Sequence, residues 1–154
     1  MIDLRRELDA ARKGALVQRA PWLGTLVVTG PDGKTWLNGL VTQNLAPLAK
    51  GQGAFGLSVA KNGKMQAELS IVLGLDDDRL YVAAPREKTE ALREGLDRYL
   101  IMEDAAVADA SEGHAWILAH GPLAGELVAI ARAAGAVAAS VDRTGLGGAA
   151  IVCA

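Results

Sequence analysis

Residues 54–75 read AFGLSVAKNGKMQAELSIVLGL, and they carry the clearest structural pattern in the chain. Two largely apolar runs flank the tetrapeptide Lys-Asn-Gly-Lys at positions 61–64, and Asn-Gly in that setting is the strongest short-range indication of a β-hairpin. Because side chains alternate along a strand, one face of the second run is apolar and the other carries Gln66, Glu68 and Ser70. The apolar face consists of Met65, Ala67, Leu69, Ile71 and Leu73.

The chain on the C-terminal side of the hairpin extends the same sheet and then becomes helical. The aspartates at positions 76–78 predict a turn, and residues 79–84 predict a third strand. Pro85 is typical of a first helical position, so a helix is expected over residues 85–100. Its predicted apolar stripe is Leu92, Leu96, Tyr99 and Leu100, and its predicted exposed ion pairs are Arg86–Glu90 and Glu94–Arg98.

The N-terminal part predicts two helices and one strand. Apolar residues recur at helical spacing over residues 2–18, and residues 23–29 (LGTLVVT) have the composition of a strand. A turn at residues 30–33 precedes a short helix whose predicted buried residues are Trp36, Leu37, Leu40 and Val41. Residues 51–56 match the pattern G-x-G-x-x-G, but a strand is expected after them instead of a helix, which argues against a dinucleotide site.

The C-terminal part predicts four strands and one helix. Strands are expected over residues 105–109 and 115–119, around a turn at 111–113, and again over 137–141 and 149–152. The helix is expected over residues 122–134 and should end at Gly135. Its predicted inward residues are Leu123, Leu127, Ile130 and Ala134.

This order of elements indicates an α+β fold with mainly antiparallel sheets and packed helices. Strands come in clusters between helices, whereas a doubly wound parallel sheet would alternate strand and helix regularly. The chain has 154 residues, 51% of them hydrophobic, which is enough for one domain with a substantial core. A single domain over residues 1–154 is therefore predicted.

Charge and cysteine content exclude several classes of function. The formal net charge is −2, so the chain lacks the basic field of a nucleic-acid or anionic-membrane binder. No apolar run approaches the ~20 residues of a membrane span. The single cysteine, Cys153, excludes an internal disulfide and a cysteine-cluster metal site. A soluble, cytoplasmic protein is expected.

The candidate chemistry narrows to the polar face of the hairpin. His114 and His120 would lie ~20 Å apart on one strand, too far to share a metal ion, so no metal site is predicted. Gln66, Glu68 and Ser70 place a carboxylate between two hydrogen-bonding side chains. That pattern fits a solvent-exposed face, and it also fits the polar wall of a ligand cavity in which the carboxylate holds the N–H groups of a heterocycle. The spacing leaves both interpretations open.

Several stretches together resemble a known family. They are TLVVTGPDGKTWLNGLVTQNLAPLAKGQGAFGLSVA at residues 25–60, NGKMQAELSIV at 62–72, LDRYLIMEDAAVAD at 96–109 and HGPLAG at 120–125. In order and spacing they resemble the N-terminal part of the folate-binding YgfZ family, which is related to the glycine-cleavage T-protein, an aminomethyltransferase. The likeness covers about residues 14–152.

The resemblance implies an aminomethyltransferase-like folate-binding domain over residues 1–154, apparently incomplete at its C-terminus. The implied function is that of a tetrahydrofolate-binding accessory protein that supports iron–sulfur cluster assembly or maintenance, and thereby tRNA modification. One alternative is an aminomethyltransferase of the glycine cleavage system, which would be a tetrahydrofolate-dependent enzyme. Another is a non-catalytic folate-domain subunit of a sarcosine-oxidase-like complex.

The resemblance also nominates site residues. T-proteins carry two aspartates after the hairpin glycines, and alignment on Gly63 matches them to Ala67 and Glu68, so only the second carboxylate is kept. The predicted folate-binding residues are Glu68, Gln66, Ser70, Asn44 and Thr42, with no catalytic residue and no metal ligand assigned. The asparagine that T-proteins carry at the end of the next strand is absent, since residues 82–84 read Val-Ala-Ala.

Three expectations follow for the molecule as a whole. Glu68 should face a cavity or an open cleft. The isolated chain should bind tetrahydrofolate weakly or not at all, because the matched residues supply only one wall of a site. An unpaired strand edge near residues 149–152 should favour a homodimer. The expected partners are a folate and iron–sulfur client proteins, with no direct nucleic acid and no membrane.

Overall fold

The structure is a computed structural model that describes residues 3–75 and 78–154. Its α-helices are α1 (Leu4–Lys13), α2 (Gly33–Asn38), α3 (Thr89–Asp97) and α4 (Ala124–Ala133). Its strands are β1 (Leu16–Arg19), β2 (Leu23–Thr29), β3 (Gly53–Val59), β4 (Met65–Leu73), β5 (Leu80–Pro85), β6 (Ala106–Asp109), β7 (Ala115–His120), β8 (Val137–Ser140) and β9 (Gly148–Cys153).

The predicted hairpin forms the edge of a five-stranded sheet with the order β3-β4-β5-β2-β6. Its neighbouring strands are all antiparallel, so the predicted α+β class with antiparallel sheets is confirmed. The turn between β3 and β4 places Gly63 at φ +78°, a conformation that glycine adopts without the steric cost of a Cβ atom. In the hairpin register Leu57 lies opposite Glu68 and Phe55 lies opposite Ser70.

The two faces of the five-stranded sheet pack against different layers. One face is covered by α2 and α3, whose buried residues join a core with four residues of β4. The α2 and α3 residues are Trp36, Leu37, Leu92 and Leu96, and the β4 residues are Ala67, Leu69, Ile71 and Leu73. Met65, predicted on the same apolar face, is exposed because it precedes the irregular pairing at Gln66. The other face meets a second sheet, and the shared core includes Val72, Tyr81, Trp116, Leu118 and Val152. The molecule is therefore layered as helices, sheet, sheet and helix, because α4 covers the outer side of the second sheet.

The second sheet has four antiparallel strands in the order β1-β7-β9-β8. Strand β9 pairs with β7 on one side and with β8 on the other. The prediction of an unpaired edge near residues 149–152 is therefore wrong, and strand addition at this place has no free edge to use. The expectation rested on a sheet left incomplete next to these residues, whereas β9 lies between β7 and β8 and pairs with both.

Two helix boundaries differ from their predictions. The helix predicted over residues 2–18 ends at Lys13, and Leu16–Arg19 forms strand β1, whose pairing with β7 outweighs the helical periodicity. Pro85 does not begin a helix, because its ψ of 127° is extended and it closes strand β5. A 3-10 turn at Arg86–Lys88 follows, and α3 begins at Thr89.

The predicted burial of α4 is confirmed only for Leu127, which packs against the core, and is wrong for Leu123, Ile130 and Ala134, which are exposed. Ala124 and Val128 face the sheet, whereas Leu123 and Ile130 are 47% and 64% exposed. Small side chains let the helix approach the sheet closely, so the larger ones point outward. The predicted ion pair between Arg86 and Glu90 does not form. Arg86 instead pairs with Glu112 at 2.8 Å, and Glu90 pairs with Arg93 at 2.7 Å.

Other predictions concern the turns and the chain ends. Strands β6 and β7, expected around one turn, belong to different sheets, and Ser111–Gly113 forms a 3-10 turn between them. Asp76 and Asp77 of the predicted turn, and residues 1–2 at the chain start, lie outside the described residues. Within the described part of the chain, no helix combines the length and the hydrophobicity that crossing a bilayer requires.

Candidate functional site

Glu68 lies on the face of β4 that points toward the four-stranded sheet. Its neighbours along the strand, Ala67 and Leu69, point the other way into the core beneath α2 and α3. The Glu68 carboxylate accepts a hydrogen bond from the guanidinium of Arg143, which follows β8. The Glu68 side chain is 49% exposed and that of Arg143 is 29% exposed, so the pair lies at the surface where the two sheets meet.

Arg143 also lies over the ring of Phe55, with 5.2 Å between the guanidinium carbon and the ring centroid. Phe55 is the cross-strand partner of Ser70, whose side chain is buried two residues along from Glu68. These four residues, Phe55, Glu68, Ser70 and Arg143, are called the Glu68 cluster below. The cluster joins an aromatic face, a carboxylate, a hydroxyl group and a guanidinium contributed by both sheets.

The loop after β8 holds Arg143 in place through Asp142. The Asp142 carboxylate accepts hydrogen bonds from the backbone N–H groups of Thr144, Gly145 and Gly147, at 2.9–3.2 Å. The bond from Thr144 is the largest cause that holds the pKa of Asp142 below its ordinary value. Gly145 and Gly147 both have positive φ angles, which lets the loop turn tightly around the carboxylate.

The Glu68 cluster has the chemistry to bind a flat polar heterocycle. A carboxylate accepts hydrogen bonds from ring N–H groups, an aromatic face stacks on a ring, and a guanidinium binds an anionic substituent. The ion pair between Glu68 and Arg143 already satisfies both charges. Since pairs this exposed contribute only about 0.2–1 kcal/mol, a ligand could take over either partner at small cost.

Gln66 does not share the wall that Glu68 forms, although sequence alternation placed both on one face. Ser58 pairs with Ala67 and Val59 pairs with Met65, so Gln66 is an extra residue in a β-bulge. The bulge brings the Gln66 amide to Ser58, whose hydroxyl donates to Oε1 at 3.0 Å. Gln66 and Thr42 both line a cleft of about 840 Å³ on the side of α3, which is called the α3 cleft below.

Asn44 lies neither in the Glu68 cluster nor in the lining of the α3 cleft. Its side-chain oxygen accepts a hydrogen bond from the backbone N–H of Ala46 at 3.1 Å, which is a local turn contact. The five predicted site residues therefore fall into three groups: Glu68 and Ser70 in the Glu68 cluster, Gln66 and Thr42 in the α3 cleft, and Asn44 in a turn. The structure places the half-exposed Glu68 side chain beside Arg143, which sequence reasoning did not assign to the site. That Glu68 faces a cavity or an open cleft stays a prediction.

The residues that sequence reasoning missed are Phe55 and Arg143. Phe55 is the only phenylalanine of the chain and its strand register could have placed it beside Ser70. Arg143 is separated from Glu68 by 75 residues, and nothing in local spacing indicates their contact. Within residues 3–75 and 78–154, no three histidine, cysteine, aspartate or glutamate side chains are arranged to hold a metal ion.

Two positions at which the resemblance to T-proteins implies polar side chains are alanines here, and their surroundings differ. Ala67 is 2% exposed and packs in the core beneath α3, where a carboxylate would be buried without a partner. Ala83 is the cross-strand partner of Ser70, so its methyl group lies next to the Glu68 cluster and adds no hydrogen bond there. Glu68 is thus the single carboxylate among the Glu68 cluster residues.

Comparisons with a family model and with known proteins agree on one family. A family model described as the GCVT N-terminal domain matches residues 3–141. The aminomethyltransferase of Lysinibacillus sphaericus is 26% identical over 126 residues, which are 82% of this chain and 34% of that protein. The probable aminomethyltransferase of Natronomonas pharaonis is 28% identical over 131 residues, which are 82% of this chain and 36% of that protein. The chain thus spans about a third of the length of these relatives.

Solved structures support the same fold. The crystal structure of the glycine cleavage system aminomethyltransferase T from Bartonella henselae superposes with a TM-score of 0.71 at 17% identity. The match covers 96% of this chain and 44% of that one. A chain of the heterotetrameric sarcosine oxidase from Corynebacterium sp. U-96, in complex with pyrrole 2-carboxylate, has a TM-score of 0.51 at 16% identity. That match covers 97% of this chain and 82% of the other.

Proposed function

Because this chain belongs to the family of GCVT N-terminal domains, we propose that it is an aminomethyltransferase-like domain that binds a tetrahydrofolate at the Glu68 cluster. The observation that carries the proposal is the family match, which spans residues 3–141 and includes Phe55, Glu68 and Ser70. A cytoplasmic location, predicted from the composition, is part of the proposal.

The donor set of the Glu68 cluster fits a reduced folate. The Glu68 carboxylate matches the N–H groups of a pterin ring, the Phe55 ring offers a stacking face, and the Arg143 guanidinium matches a carboxylate of the folate tail. A tetrahydrofolate, when bound, supplies a carrier for one-carbon groups. The chain's own residues would bind and orient it, and the exposure of Glu68 leaves that face open to a second reactant or a partner.

The first candidate is one-carbon transfer of the aminomethyltransferase type. The named relatives of this chain are an aminomethyltransferase and a probable aminomethyltransferase, and both match over 82% of this chain. This candidate predicts that the protein transfers the carbon of an aminomethyl donor to tetrahydrofolate and releases the amino group as ammonia, which is measured as methylenetetrahydrofolate and ammonia formation. Because the chain spans only about a third of these relatives, that activity belongs to the proposal.

The second candidate is a non-catalytic, YgfZ-like folate-binding role in iron–sulfur cluster maintenance, and thereby in tRNA modification. The observation that favours it is the pair of alanines, since Ala67 and Ala83 remove a carboxylate and an amide and leave methyl groups that are 2% and 1% exposed. This candidate predicts folate binding without carbon transfer. It also predicts lower activity of iron–sulfur enzymes in cells that lack the protein.

A third alternative is a folate-domain subunit of a sarcosine-oxidase-like complex. This chain covers 82% of a chain in the heterotetrameric sarcosine oxidase structure, so the two are similar in extent. The alternative predicts co-purification with larger oxidase subunits, whereas the other two candidates do not require it.

The folate site is tested by titrating the isotope-labelled chain with folinic acid, a stable formylated tetrahydrofolate, and recording amide chemical shifts. We expect the largest shifts at Phe55, Glu68, Ser70 and Arg143. The affinity should be weaker than micromolar, because the Glu68 cluster forms one open face and does not enclose the ligand as a typical pocket does. Glu68→Gln should weaken binding about fivefold or more, since a charge-assisted hydrogen bond is lost.

Glu126→Gln is the matched control, because Glu126 is an exposed glutamate on α4, outside the Glu68 cluster. It removes the same charge and should leave the folinic acid affinity unchanged. The proposed site would be overturned by equal weakening in both variants or by shifts confined to the α3 cleft. An absence of any shift at millimolar folinic acid would contradict folate binding by this chain.

A further inference from the structure

The α3 cleft lies on the face of the five-stranded sheet opposite the Glu68 cluster. It is bounded by the segment 39–42, the hairpin ends of β3 and β4, and helix α3. Its volume of about 840 Å³ falls within the range of small-molecule pockets, roughly 300–1,000 Å³. Its apolar lining comes from Leu40, Val41, Leu92, Leu96 and Tyr99. The cleft therefore has room and apolar surface for a ligand of its own.

The polar side chains in the cleft are arranged as donors. The hydroxyl of Ser58, only 3% exposed, donates to Gln66 Oε1 at 3.0 Å, which occupies the amide oxygen and leaves Nε2 as a donor. Thr42 Oγ1 accepts from the backbone N–H of Leu57 at 2.9 Å, so its own hydroxyl hydrogen is available to donate. The bulge at Gln66 is what brings this amide into the cleft, because a regular strand would turn it toward the other face.

The charges that line the cleft are positive. Lys61 and Arg98 line it, and within the described part of the chain neither side chain forms an ion pair or a hydrogen bond. The lining residues include no aspartate or glutamate. Uncompensated cations beside an apolar surface favour a ligand that carries the opposite charge.

From these three features we propose that the α3 cleft is a second ligand site, for a small organic carboxylate with a flat apolar body. The body would pack between Leu40, Leu92 and Tyr99, while the carboxylate would meet Lys61 and Arg98. Gln66 and Thr42 would donate hydrogen bonds to acceptor atoms of the ligand. This site is independent of folate binding at the Glu68 cluster, since the five-stranded sheet separates the two.

The probe for this site is cinnamate, an aromatic carboxylate, paired with the neutral cinnamamide of nearly the same shape. We expect cinnamate to shift the amide resonances of Thr42, Ser58, Gln66 and Tyr99 at low ionic strength. Cinnamamide should bind several-fold more weakly. The double variant Lys61→Gln/Arg98→Gln should weaken cinnamate binding about five- to tenfold, since it removes two exposed ion pairs with the ligand. It should leave cinnamamide binding unchanged.

The double variant Arg12→Gln/Lys13→Gln is the control, because it changes the net charge equally on α1, a helix without buried residues. It should bind cinnamate as the unchanged chain does, and Glu68→Gln should do the same. The proposal would be overturned if cinnamate caused no shifts in the cleft, or if it bound no better than cinnamamide. Equal weakening in the two double variants would also overturn it, because the effect would then come from net charge alone.

Discussion

His120 is a histidine whose surroundings favour the neutral ring. Its Nε2 atom lies 3.3 Å from the side-chain nitrogen of Gln18, which can only donate, so the ring proton belongs on Nδ1. That Nδ1 atom is buried and has no hydrogen-bond partner among the described residues. Burial lowers the pKa of His120 below its ordinary 6.5, and the positive charge of Arg143 lowers it further, while Asp142 partly offsets the effect.

A histidine with a lowered pKa makes the folded protein sensitive to mild acid. Above the ordinary pKa of 6.5 the ring is neutral in both states and has no effect. As the pH falls below that value, the unfolded chain takes up the proton first, so the free energy of unfolding decreases until the folded-state pKa is passed. The variant His120→Gln should therefore lose less thermal stability than the unchanged chain when the pH is lowered from about 8 to about 5.5.

The expected difference in Tm loss is about 1–3 °C, because 1 kcal/mol corresponds to roughly 2–4 °C in a domain of this size. Melting curves at both pH values measure it, and the comparison at the higher pH gives the structural cost of the substitution by itself. Equal Tm losses in the two proteins would mean that His120 titrates in the folded state as it does in the unfolded chain.

At the scale of elements, the hairpin was predictable because its pattern is local. The period-two alternation and the Asn-Gly turn predict the two strands, the turn and most side-chain faces within about 20 residues of chain. The bulge at Gln66 was not predictable, since it depends on how Ser58 and Gln66 pair across the strands. That one extra residue moved Gln66 from the predicted folate wall into the α3 cleft.

Helix α4 shows why a burial pattern can fail. Nearly all of its residues are apolar, so the spacing of apolar residues is compatible with more than one buried face. Choosing the face with the largest side chains therefore gave the wrong orientation for most of the helix. The most deeply buried residues are Ala124 and Val128, and Leu127 and Ala131 pack beside them. The helix ends where Gly135 takes a positive φ of 86°, as the sequence predicted, because that stop depends on a local backbone conformation.

Two glycines with open space around them test these arguments about turns and helices, because alanine should destabilise the fold at one of them and stabilise it at the other. A Cβ atom at Gly63 or at Gly125 would meet no atom within 4 Å. Gly63 has φ +78°, so Gly63→Ala should destabilise the fold by about 1–2 kcal/mol, the cost of a left-handed conformation for an L-residue. Gly125 lies inside α4, so Gly125→Ala should stabilise it by about 0.5–1 kcal/mol.

Urea unfolding of both variants beside the unchanged chain measures these free energies. The two substitutions add the same methyl group, so each serves as the control for the other. A neutral Gly63→Ala would mean that the hairpin turn can relax to a negative φ, and a destabilising Gly125→Ala would mean that α4 needs glycine for a reason outside its helical geometry.

At the scale of the molecule, long-range side-chain contacts join the two sheets. The Trp116 indole N–H on β7 donates to the buried Thr25 hydroxyl on β2 at 2.8 Å, and Glu68 on β4 pairs with Arg143 after β8. Each of these contacts connects residues at least 75 positions apart. Sequence reasoning could place Glu68 on a face and match it to an acidic family position, but the partner depends on how the second sheet packs against the first.

Arg132 connects three parts of the fold through one side chain. From α4, its guanidinium donates to the carbonyl of Ala138 at 3.0–3.1 Å and to the carbonyl of Gly51 at 2.5 Å. Gly51 precedes β3, and its N–H bonds back to the carbonyl of Leu73 at the end of β4. One side chain thus ties the outer helix, the beginning of β8 and the edge of the five-stranded sheet together.

Arg132→Met should therefore weaken the whole domain instead of one layer. It keeps most of the aliphatic stem but leaves two part-buried carbonyls without their charged donor, which should lower the free energy of unfolding by about 1–3 kcal/mol. Urea unfolding followed by both far-ultraviolet circular dichroism and tryptophan fluorescence should still show coincident transitions, since Trp116 lies in the core shared by both sheets. Arg12→Met on the exposed helix α1 is the control and should unfold at the midpoint of the unchanged chain. If Arg132→Met instead separated the two transitions, Arg132 would be the main link between sheets that fold independently, and the shared core would be too weak to couple them.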